Sequence, residues 1–62
     1  MLEQMIDEMR KLTIEINDLL DFAVSCLKNG DTELCDEILA LSDKKLAEQT
    51  ELSTKIALAR LA

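Results

Sequence analysis

The sequence has no histidine, proline, tryptophan or tyrosine, one glycine, one phenylalanine and two cysteines in 62 residues. Each scarcity closes a route. Without histidine, neither a Ser–His or Cys–His nucleophile–base pair nor a zinc site of four Cys and His ligands can be assembled. One glycine is too few for a glycine-rich loop that cradles phosphate. Two cysteines fall short of the disulfide framework that staples a small secreted domain. Seven basic residues against thirteen acidic ones leave a formal charge of −6, which repels a phosphate backbone and offers nucleic acid no basic stripe. No apolar run approaches the roughly 20 residues that cross a bilayer, and Met1 is followed by Glu3, Asp7 and Glu8 rather than by a basic signal-peptide start. The chain therefore reads as non-enzymatic and cytoplasmic, with no nucleic-acid partner and no direct membrane insertion by this segment.

What is present is helical periodicity. Leu2, Met5, Met9, Leu12, Ile16, Leu19, Ala23 and Cys26 recur at alternating steps of three and four, the heptad spacing of a helix seam. A second row, Ile6, Thr13, Leu20 and Leu27, lies one residue on from alternate seam positions and widens the seam into a bundle stripe. Ile14 and Phe22 fall outside both rows. They are either ordinary surface or bundle-edge residues or a second contact face.

The glycine sits in the stretch "LKNGDTEL". Lys28 suits the negative end of a helix dipole, and Gly30 can take the left-handed conformation that closes a helix. Asp31 can cap the next helix, with Glu33, Asp36 and Glu37 placing negative charge in its first turns. The spacing predicts an all-α antiparallel hairpin of helices over about 2–29 and 31–61, turning at Asn29, Gly30 and Asp31. Beyond the turn, Leu34, Cys35, Ile38, Leu39, Leu41, Leu46, Leu52, Ile56 and Ala59 supply the apolar face. Ser42, Lys45 and Gln49 interrupt it near its middle. Either these residues sit in the seam and set its register, or the helix changes partner there.

A chain this short buries only about 60% of its unfolded surface and usually needs a disulfide, a metal or a second subunit. Cys26 and Cys35 come near one another at the turn end of such a hairpin, so a bridge can be drawn, but they are read as two reduced thiols serving as small packing residues. Assembly is the remaining staple. Each stripe is wider than about 90°, more than two helices can cover, so the hairpin is expected to form a homodimeric four-helix bundle. Its bundle and dimer interface is assigned to Leu2, Met5, Met9, Leu12, Ile16, Leu19, Leu34, Ile38, Leu52 and Ile56. Asp18 with Asp21, and Glu48 with Glu51, have the spacing of oxygen ligands for a hard cation, a spacing that solvated helix faces also produce.

The stretches "DFAVSCLKNGD", "TELCDEILALSDKKLAEQ" and "KIALARLA" resemble the PhoU family. The likeness covers almost the whole chain and corresponds to the first two helices of a domain that normally has three. It implies a regulatory module linked to phosphate or ion transport, acting through a transporter or sensor-kinase component. It also implies a metal motif of two acids separated by three residues, in which Asp43 matches the first acid while Ala47 stands in place of the second. No other cofactor is expected. The competing expectation is a small stand-alone four-helix-bundle dimer, an accessory subunit or scaffold of another complex, like the short helical-hairpin subunit of a bacterial exonuclease. The aromatic-Glu-x-Gly motif of that subunit is absent here.

Overall fold

A computed structural model describes residues 1–61. Two helices, α1 (Leu2–Lys28) and α2 (Thr32–Leu61), run antiparallel and pack along their length, so the expected hairpin is present. The Cα trace measures 49 × 15 × 11 Å.

The turn is built from backbone hydrogen bonds that the sequence makes accessible. Asn29 caps α1 in a right-handed conformation, and Gly30 follows with φ +80°. The Gly30 N–H donates to the Leu27 carbonyl at 3.1 Å, and the Asp31 N–H donates to the Cys26 carbonyl at 2.9 Å. These two bonds make a Schellman closure, which uses carbonyls the helix end would otherwise leave unpaired. Nothing lies within 4 Å of the position a Gly30 side chain would take, so glycine is needed there for backbone conformation alone. Asp31 then starts α2. Its Oδ1 accepts from the Leu34 N–H at 3.3 Å, and its carbonyl accepts from the Cys35 N–H at 3.1 Å. The helices are thus one residue shorter at the turn than expected, because Asn29 and Asp31 act as caps.

The core lies at the turn end. Ala23, Cys26, Cys35 and Ile38 are buried together, with Leu19 and Leu34 packed against them. Ile16 continues the buried line towards the middle. Closer to the open end, Leu2, Met5, Met9, Leu12, Leu52 and Ile56 are only half-buried. Small residues at the turn let the helices close tightly, whereas long ones spread the open end.

Candidate functional site

The ten residues assigned to the bundle interface lie along the line where α1 and α2 of one chain meet, Ile16 and Ile38 buried and the other eight half-buried. The polar interruption of α2 lies on this line too. Cys35, Ile38 and Ser42 are buried, and Lys45, Gln49, Leu52 and Ile56 are half-buried, an unbroken alternation of three and four. Ser42, Lys45 and Gln49 therefore occupy seam positions, and α2 does not change partner.

Two of the three are paired across the seam, one on each side. Lys45 Nζ donates to Glu15 Oε2 at 2.6 Å, and Gln49 Nε2 donates to Thr13 Oγ1 at 2.8 Å. Thr13 Oγ1 in turn donates to the Met9 carbonyl at 2.9 Å. The resulting register sets Cys26 opposite Cys35, Ala23 opposite Ile38 and Leu19 opposite Ser42. A one-turn slip would break both bonds, which is how polar seam residues select an alignment. The third residue, Ser42, is 1% exposed, and its hydroxyl has no hydrogen-bond partner.

The seam also perturbs two ionisable groups. Burial pushes the Cys26 thiol above its ordinary 9.0, and the Asp31 charge and Cys35 add to the rise. The hydrogen bond to Glu15 raises Lys45 above 10.5, desolvation opposes this, and the charges of Glu15 and Glu48 reinforce it. Cys26 and Cys35 are both free and buried, which fits their reading as packing residues.

Several apolar residues lie elsewhere than expected. Of the second row in α1, Ile6 is half-buried, while Thr13, Leu20 and Leu27 are exposed. Leu39, Leu41, Leu46 and Ala59, placed on the apolar face of α2 by sequence, are exposed as well. The reason is geometric: once Ser42, Lys45 and Gln49 hold the seam, the leucines beside them are turned out onto its flanks. In each helix, Thr13, Leu20, Leu27, Leu39 and Leu46 follow a seam residue by four. Reversing a helix also reverses the sense of its wheel, so in an antiparallel pair these positions share one broad side. That side carries Leu20, Leu39 and Leu46, each 40% exposed, and Leu27 at 60%. Phe22 and Leu41 lie on the opposite flank and Ile14 near the back of α1, all exposed.

Asp43 and Ala47 are exposed on α2, as are Asp18, Asp21, Glu48 and Glu51. Among the described residues, no group of three or more Cys, His, Asp or Glu side chains is gathered where it could hold a metal ion. A shallow cleft of about 260 Å³ opens between the free ends, lined by Met1, Gln4, Met5, Glu8, Leu52 and Lys55. Among the described residues no helix is long and apolar enough to cross a membrane. No protein-family model, curated protein or solved structure matches the chain. The most apolar exposed feature of the hairpin is the leucine side, with Leu20, Leu27, Leu39 and Leu46.

Proposed function

We propose that the chain is a non-catalytic interaction module that works by helix-bundle assembly, the hairpin supplying two helices and a second chain completing the bundle. The observation that supports this most directly is the row of leucines left 40–60% exposed along one broad side, a contiguous apolar surface of the kind that marks interaction sites. The PhoU resemblance gives the module a regulatory role in phosphate or ion transport, with a transporter or sensor-kinase component as its target and the cytoplasm as its place of action. In that reading the chain is the first two helices of a PhoU-like domain, and the partner occupies the side a third helix would cover. Asp43 is the position the resemblance assigns to a metal, but it stands exposed, with Ala47 in place of the second acid and no cluster of ligands around it among the described residues.

A second reading, an accessory subunit or scaffold of another complex, is favoured by one observation. Ser42, Lys45 and Gln49 are used within the hairpin, so these three residues face α1 and not a third helix. Affinity capture from native extract separates the two. Recovery of transporter or sensor-kinase components supports the regulatory module; recovery of the large subunit of an unrelated complex supports the accessory subunit. Capture of neither, from a chain that stays monomeric at micromolar concentration, would reject the interaction module altogether.

A further inference from the structure

The exposed surface has a measurable excess. The chain presents 4827 Å² to solvent, whereas a compact monomer of 7.0 kDa presents about 4,000 Å². The excess of about 800 Å² equals one partner's share of a standard protein–protein interface.

Charge distinguishes the two broad sides. The flanking row on the leucine side reads Ile6, Thr13, Leu20 and Leu27 on α1 and Leu39, Leu46, Ser53 and Arg60 on α2, with one charge at its far end, and the row outside it adds Glu3, Arg10, Asp36 and Asp43. The row on the other side includes Glu8, Glu15, Glu48 and Lys55 beside Phe22 and Leu41. A chain of net charge −6 meets its own copy at least cost where its charges are fewest, because burying like charges costs far more than leucine contacts return. The leucine side comes nearer to that condition than the other, its acids Glu3, Asp36 and Asp43 lying outside the leucine row.

Resting on the interaction-module reading, we propose that the side bearing Leu20, Leu27, Leu39 and Leu46 docks against the same side of a second copy of this chain, with the two turns at the same end. The leucines occupy the turn half of the molecule. Superposing turn on turn brings Leu20 and Leu27 of each copy against Leu39 and Leu46 of the other, and places Glu3 near Arg60 at the far end. Docked end over end, Leu20 would lie over the other copy's Arg10 and Leu27 over its Glu3, desolvating charges that gain no partner. Either docking leaves every neighbouring helix pair antiparallel, so the placement of the leucines against charges is what separates them.

Sedimentation equilibrium at micromolar concentration is expected to give a dimer. Leu20→Glu and Leu39→Glu should each weaken self-association by about a hundredfold or more, while Phe22→Glu on the other side leaves it unchanged. A spin label on Asn29→Cys, reacting ahead of the buried native thiols, should report a turn-to-turn separation of about 11–14 Å between the labelled backbones, the diagonal of a square of four helices at the roughly 8–10 Å interhelix spacing. That measurement retains every leucine, so it decides the orientation even if the glutamate variants fail to fold. Loss of the dimer in Phe22→Glu but not in the leucine variants would overturn the choice of side. A label separation near the 49 Å length would overturn the orientation. A monomer that still captures a transporter or kinase component would remove the second copy and leave the module reading standing, whereas a monomer that captures nothing removes both.

Discussion

At the scale of the residue, the position with the least expected chemistry is Ser42. A small side chain lets the helices approach opposite Leu19, but its hydroxyl is 1% exposed and unpaired. A buried polar group without a partner costs about 1–3 kcal/mol, and alanine keeps nearly the same shape. Ser42→Ala should therefore stabilise the hairpin by about 1 kcal/mol, raising Tm by roughly 4–8 °C for a domain this small, as thermal circular dichroism would register. Gly30 behaves oppositely. With φ +80° and open space around it, Gly30→Ala meets no clash yet must hold a left-handed backbone, so a loss of about 1–2 kcal/mol is expected. Gly30→Asn should cost less, because asparagine tolerates that region. Equal losses for the two would place the strain outside the turn backbone.

At the scale of the element, α1 was legible almost entirely from spacing. Its eight seam residues are all buried or half-buried, with Ile6 the one further half-buried residue, because apolar residues at an unbroken three-four step leave only one face to bury. The turn was equally legible, since Gly30 and Asp31 carry backbone and capping preferences that act locally. α2 was not. Leu39, Leu41 and Leu46 outweigh Ser42, Lys45 and Gln49 in hydrophobicity, yet the polar three face α1. Burial of Leu34, Cys35 and Ile38 on one side of that stretch and Leu52 and Ile56 on the other constrains the helix between them, and Glu15 and Thr13 receive the polar groups. Substituting Lys45→Leu together with Gln49→Leu should raise Tm while loosening alignment, seen as doubled amide resonances from hairpins in more than one register. A single set of resonances would show that packing alone sets the register. The seam also carries a pH dependence. Cys26 and Lys45 both hold their protons more tightly in the folded chain, so each contribution is complete below the unfolded pKa and lost as pH rises through the folded one. Tm should be level from about pH 6 to 8, then fall as pH passes the ordinary thiol value of 9.0 and, further on, the lysine value of 10.5. Cys26→Ala should remove the earlier decline and leave the later one; an unchanged profile would exclude the thiol as its source.

At the scale of the whole molecule, the buried apolar residues are few: Ile16, Ala23, Cys26, Cys35 and Ile38. With a core this small, the proposed dimer would add to stability, so Tm should rise with chain concentration over the micromolar range. Leu20→Glu should flatten that dependence, whereas a Tm independent of concentration in the native chain would mean the hairpin is stable alone. The sequence by itself determined that two helices form, where they turn and which face of α1 is buried, because periodicity, glycine conformation and helix capping act within a few residues. Only the tertiary structure decided which residues of α2 meet α1 and that Leu20, Leu27, Leu39 and Leu46 share one broad side. Those relations join positions on different helices, and they are set by which side chains find partners when two surfaces close on each other. No spacing within either helix contains that information.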